Sequence, residues 1–141
     1  MKIGFLVNPV AGMGGSVGLK GTDGEDTLKE AIARGATRQS PQRTIRALHG
    51  LEGRVETQFM TCSGEMGKEE LDCAGLQSVV VYEPADETSR KDTIAAVRIF
   101  VRDGADIIIF AGGDGTARDV LEAAGRNVPM VGIPTGVKMH S

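Results

Sequence analysis

The sequence predicts an α/β fold: three αβα layers around a mostly parallel, five-stranded sheet. Two observations predict it. Five short apolar runs recur, Lys2–Val7, Val55–Met60, Ser78–Tyr82, Asp106–Phe110 and Pro129–Ile133, each bounded by turn residues. Three of them are nearly continuous in Ile, Val and Phe, which suits strands covered on both faces of a parallel sheet. Helical patterns occupy the intervals, and alternating strands and helices build such a sheet with right-handed crossovers.

The helices follow in order. Asp26–Arg34 and Pro41–Leu51 form a pair broken at "RGATRQSP". Glu65–Cys73 is short and weakly patterned. Thr88–Asp103 has the strongest pattern: Thr88 can cap it, Ile94, Val97 and Val101 share a face, and Gly104 ends it. Thr116–Ala124 is stopped by Gly125.

At 141 residues the chain fits one domain, residues 1–141. A chain of that length buries about 70% of its unfolded surface and needs no covalent staples. The charged and apolar fractions, 25% and 40%, are those of an ordinary globular domain. A net charge of −3 argues against an electrostatic nucleic-acid binder. Arg34, Arg38, Arg43, Arg46 and Arg54 form a basic stretch, but no aromatic residue interleaves to stack on bases, so it reads as a solvated face. Cys62 and Cys73 make no CxxC, and His49 and His140 lie far from them, which argues against zinc. Their spacing leaves a disulfide open; two buried or half-buried free thiols are the default expectation. No signal peptide is apparent and no apolar run approaches the ~20 residues of a membrane span. A cytoplasmic protein without a membrane partner is expected.

The 20 glycines are unevenly spread. "NPVAGMGGSVGLKGTDG" follows the first strand, "AGGDG" the fourth and "PTGVK" the fifth. All three lie at carboxyl ends of strands, where open α/β sheets bind ligands. Glycines there let backbone N–H groups approach an anion, and a helix beginning next adds a partly positive terminus. In a Rossmann-like sheet of order 3-2-1-4-5 the first two clusters face each other across one crevice. The common phosphate signatures fail. A dinucleotide fingerprint starting at Gly12 and Gly14 meets Val17 where its third glycine belongs. A Walker loop needs Gly-Lys-Ser/Thr, yet Lys20 stands between Leu19 and Gly21.

What remains is Gly112-Gly113-Asp114-Gly115-Thr116 after a buried strand, paired with Asn8-Pro9 and glycines after strand one. With these segments the chain resembles the amino-terminal domain of an ATP-NAD kinase-like protein. Diacylglycerol kinases, sphingosine kinases and phosphofructokinases belong to the wider superfamily. The first loop and "PTGVKMHS" are most similar to the archaeal-type branch, which includes proteins like the X protein of acetoin catabolism. The resemblance spans essentially the whole chain. It implies a second, β-rich domain that is absent from these residues, so the chain is expected to be a piece of a longer protein. The full-length protein is expected to form a homo-oligomer.

The resemblance also implies a chemistry. Phosphate would pass from ATP, or polyphosphate, to the 2′-hydroxyl of the adenosine ribose of NAD, with Mg²⁺ present. Small nucleotides would then be the partners. Asp114 takes the place of the general base or orienting acceptor for that hydroxyl. Asn8, Gly12, Gly14, Gly15, Thr88, Gly112, Gly113, Gly115, Thr116, Gly136 and Lys138 are the nucleotide and phosphate candidates. No metal ligand is assigned; Asp23 is placed either to hold Mg²⁺ through water or to cap a helix. Lys20 and Lys138 can neutralise phosphate or lie on the surface.

Blander roles stay open for several of these residues. Asp114 or Thr116 can cap the last helix, Asn8 can close an Asx turn, and Thr88 with Ser89 can cap a helix without touching nucleotide. Asp119 and Glu122 read as a solvated face. Two alternatives remain for the whole: a kinase of the same superfamily acting on a lipid, sugar or acetoin-related acceptor, and a nucleotide-binding regulatory module without turnover. The isolated domain is expected to be inactive or nearly so.

Overall fold

The computed structural model describes residues 1–9, 40–49, 57–86 and 88–134, with backbone alone for 40–43. The expected helix at 26–34 and the first residues of the expected second strand lie outside them. Five strands form one all-parallel sheet in the order β3-β2-β1-β4-β5. They are β1 Lys2–Val7, β2 Gln58–Cys62, β3 Ser78–Tyr82, β4 Ile107–Gly112 and β5 Met130–Pro134. Among the described residues four α-helices accompany them: α1 Ser40–His49, α2 Lys68–Cys73, α3 Arg90–Arg102 and α4 Asp114–Ala124.

The strand register explains the two cores. Ile3, Phe5 and Val7 point to the face covered by Leu48 of α1 and by Leu71 and Ala74 beside α2. Leu6, Met60, Cys62, Ile108 and Phe110 point to the other face, under Ala96, Val97 and Phe100 of α3 and Val120 and Ala124 of α4. All four phenylalanines are buried, and each contributes about 1.5–3 kcal/mol by leaving water. Gly4 makes room for one of them. A Cβ there would lie 2.6 Å from the Phe100 ring.

Burial on both faces holds for β1 and β4 but not for β3. Val79 and Val80 are exposed because β3 is an edge strand. The expected second strand, 55–60, is corrected to Gln58–Cys62; it is carried onward by Thr61, whose buried hydroxyl donates to the Phe5 carbonyl at 2.8 Å. The expected helix 65–73 is a 3-10 turn, Gly64–Met66, and then α2. Gly67 divides them at φ +148°. α3 ends as expected: the Ala105 and Gly104 N–H groups donate to the Phe100 and Val101 carbonyls, a Schellman closure with Gly104 at φ +87°.

The two thiols differ. Cys62 is buried and Cys73 is exposed, and neither is in a disulfide, so the expectation of buried or half-buried thiols fails for Cys73. Burial, with Asp92 nearby, pushes the Cys62 thiol up to about 12, which leaves it unreactive at neutral pH. Among the described residues no helix is long and apolar enough to cross a membrane.

Glu70 is the one discord in the core packing of the described residues. It is 1% exposed, and its Oε2 has no hydrogen-bond partner. Burial pushes its carboxyl from 4.5 up to about 7, aided by Glu69 and opposed by the Glu70 and Gly67 backbone N–H groups. The folded state therefore holds this proton more tightly than the unfolded chain. Stability is undiminished below pH 4.5, falls as pH rises toward 7, and levels off above it. Over that span the loss is at most about 3 kcal/mol, at about 1.4 kcal/mol per pH unit. Urea unfolding at pH 5 and pH 8 should show this fall, and Glu70→Gln should flatten it. An unchanged slope in the variant would assign the pH dependence to another group.

Candidate functional site

The carboxyl ends of β1 and β4 lie side by side, with Val7 opposite Ala111. The Asn8 N–H donates to the Ala111 carbonyl at 2.8 Å, which carries the pairing one residue past β1. The Asn8 side-chain amide then donates to Thr116 Oγ1 at 3.1 Å. Thus the segment after β1 is tied to the first turn of α4 across 108 positions of sequence. Thr116 is 6% exposed and packs on Gly112. A Cβ on Gly112 would lie 2.5 Å from Thr116 Oγ1 and 2.6 Å from its Cβ. That glycine is required by the close approach of helix and strand.

α4 begins two residues earlier than its sequence pattern indicates, at Asp114. Its N-cap is Gly113, whose carbonyl accepts from the Ala117 N–H at 3.0 Å. The N-cap residue, a glycine, supplies no side-chain cap. The N-cap position is thus Gly113, and neither Asp114 nor Thr116. Asp114 occupies the first helical position, and the Thr116 hydroxyl accepts from Asn8. Asn8 makes a long-range bond to Thr116 through its side-chain amide N–H, and the residue an Asx turn would close on, Val10, lies outside the described residues. A helix N-terminus without a side-chain cap presents backbone N–H groups and a partial positive charge, a combination that receives phosphate. Asp114 and Gly115 are half-buried in that first turn.

A third segment joins this edge of the sheet. The connection from β3 to α3 contains Thr88, which is half-buried. Thr88 is not the helix cap, contrary to the sequence expectation. Ser89 is: its Oγ accepts from the Lys91 N–H at 3.3 Å, and Asp92 closes a reciprocal capping box. The pattern Ser-x-x-Asp at 89–92 carries that signal, one residue past the position chosen from periodicity. Arg90 ties the head of α3 to α4, reaching Asp119 and Glu122 at 3.2 Å each. Asp119 and Glu122 are therefore paired, not a simple solvated face.

Asp92 was not singled out by the sequence. It is 5% exposed, and three donors converge on it. The Tyr82 hydroxyl donates to Oδ1 at 2.7 Å, the Ala85 N–H to Oδ1 at 3.3 Å and the Ser89 N–H to Oδ2 at 2.9 Å. Burial and the hydrogen bond to Asp92 push the Tyr82 phenol up to about 12, so it remains a donor at neutral pH.

Asn8, Gly112, Gly113, Asp114, Gly115 and Thr116 are thus brought together at one end of the sheet, and Thr88 lies in the connection leaving the same end of β3. Gly12, Gly14, Gly15, Gly136 and Lys138 lie outside the described residues, as do Lys20, Asp23 and His140. Among the described residues, no cluster of three acidic, histidine or cysteine side chains could cage a metal unaided.

No match is found among curated proteins or among solved structures. A family model described as "ATP-NAD kinase N-terminal domain" matches residues 3–141. The parallel sheet of order 3-2-1-4-5, the glycine-and-aspartate turn after β4 and this match over nearly the whole length agree: the chain belongs to the ATP-NAD kinase family, to whose amino-terminal domain it corresponds.

Proposed function

We propose that the chain is the nucleotide-binding half of a phosphotransferase that moves phosphate from ATP, or polyphosphate, to the adenosine ribose 2′-hydroxyl of NAD. One observation carries the reading. The bond from Asn8 to Thr116 joins the two glycine-bearing ends of β1 and β4 into one edge, and leaves Asp114 at the uncapped head of α4. Phosphoryl transfer needs the phosphates held, charge neutralised and the acceptor oriented. The backbone N–H groups of Gly113–Thr116 bind phosphate oxygens. Mg²⁺, when bound with the nucleotide, supplies charge neutralisation. The Asp114 carboxylate accepts the hydrogen bond of the 2′-hydroxyl, orients its oxygen toward the terminal phosphate and takes its proton as the new O–P bond forms and the P–O bond to the donor breaks, releasing ADP or the shortened polyphosphate. Asn8 and Thr116 keep the two segments at a fixed separation.

The test uses the protein together with whatever sequence follows residue 141 in its reading frame. Given Mg²⁺, ATP and NAD, it should form NADP, read by an NADP-specific dehydrogenase. Polyphosphate in place of ATP identifies the donor. Binding of ATP without NADP would move the reading to another acceptor, or to a module that binds without turnover.

A further inference from the structure

Asp92 carries more hydrogen bonds than a helix cap requires. The capping box accounts for its bond from the Ser89 N–H. It does not account for the Tyr82 hydroxyl at the end of β3, or for the Ala85 N–H in the middle of the connection. Burying a carboxylate is costly unless hydrogen bonds compensate, and here three do. The three donors come from the start, the middle and the end of one segment, residues 82–89. The segment is fastened at one further point, and the head of α3 that follows it at another. The Ser63 N–H donates to the Tyr82 carbonyl at 3.0 Å, and Arg90 bridges to α4. Thr88 lies between the last two donors, Ala85 and Ser89, one residue before Ser89.

We infer that Asp92 is a positioning residue for nucleotide binding: it holds the connection from β3 to α3 at Tyr82, Ala85 and Ser89 so that Thr88 meets the phosphates of ATP. The inference rests on the proposed reading of the site and adds a third wall to it, beside the Asn8 and Gly112–Thr116 segments. Asp92 does not touch nucleotide. It acts through Thr88, by holding the connection on either side of it. Asparagine at this position keeps the shape but replaces one acceptor oxygen with a donor, so one of the converging N–H or O–H groups loses its partner.

The decisive experiment measures Mg·ATP binding and steady-state kinetics for the full protein and four variants: Asp92→Asn, Thr88→Ala, their double, and Tyr82→Phe. Asp92→Asn should weaken ATP binding about tenfold, with the loss falling on KM for ATP and not on kcat. The double variant should bind about as weakly as the weaker single, because both remove one function. Tyr82→Phe removes one donor and keeps the carboxylate. It should weaken ATP binding about threefold, and it serves if Asp92→Asn does not fold. A lowered melting temperature with wild-type ATP affinity in Asp92→Asn or Tyr82→Phe would overturn the inference, since Asp92 would then be structural only. Additive losses in the double variant, or wild-type affinity in Thr88→Ala, would overturn it as well. Failure of the unaltered protein to bind ATP would refute the reading of the site itself, and the inference with it.

Discussion

Replacing Asp114 by asparagine is expected to lower kcat by about 10²–10⁴-fold while ATP binding stays within about threefold of the unaltered protein. The physical case turns on where this carboxylate stands. Asp114 is the first residue of α4, and the N-cap before it, Gly113, has no side chain to cap with. An acid in a first turn has an ordinary use: it interacts favourably with the helix dipole, worth about 0.3–1 kcal/mol at a surface position. If that were its whole role, Asp114→Asn would lower the melting temperature by a few degrees at most, at roughly 3 °C per kcal/mol. Turnover would be untouched. The catalytic role predicts the reverse, a nearly unchanged melting temperature and a collapse of turnover. Asparagine is nearly isosteric, so the fold of the turn and the packing of Thr116 on Gly112 remain. Measuring kcat, ATP affinity and melting temperature on one preparation separates the roles. Unchanged turnover would remove Asp114 from the reaction.

The parts of this site that could be read from sequence are those encoded locally. β1 and β4 announce themselves as continuous apolar runs because both of their faces are covered. Alternating elements announce a parallel sheet, and the glycine clusters fall at one edge of it in the Rossmann-like order 3-2-1-4-5 that the structure has. Long-range facts stay hidden. Nothing near Val79 and Val80 shows that β3 lies at an edge and exposes them. Asn8 looks like a turn residue because its partner is 108 positions away. α4 starts at Asp114 and not at Thr116 because its first two residues carry no apolar signal. Asp92 was passed over because a polar residue inside a helical pattern reads as solvent-facing; only Tyr82, ten positions earlier, reveals the buried cluster. Glu70 was missed for the same reason. An acid between Glu69 and Leu71 looks like a surface residue until its oxygen is found buried and unpartnered.

Gly67→Ala should be the most damaging single-methyl change in the described part of the chain, at about 3 kcal/mol or more. Two separate costs combine there. The backbone stands at φ +148°, outside the regions an L-residue occupies comfortably, which costs about 1–3 kcal/mol. An added Cβ would also lie 2.0 Å from Thr61 Oγ1 and 3.3 Å from the Phe5 carbonyl oxygen. Thr61 cannot yield without losing its buried hydrogen bond to that carbonyl. Breaking this bond adds about 1–3 kcal/mol, because it strands a buried acceptor. In a domain whose whole stability is of order 5–15 kcal/mol, the melting temperature should fall by about 10 °C. A double-mutant cycle resolves the two costs. Thr61→Ala removes the atom in the way, and with it the hydrogen bond, so by itself it destabilises. In its presence the collision at Gly67 largely disappears and only the backbone strain remains. The double variant should therefore be more stable than additivity predicts, by about 1 kcal/mol or more. Strict additivity would mean that the backbone conformation alone demands glycine at this position, and that the contact with Thr61 is relieved by a small shift of the 3-10 turn before α2.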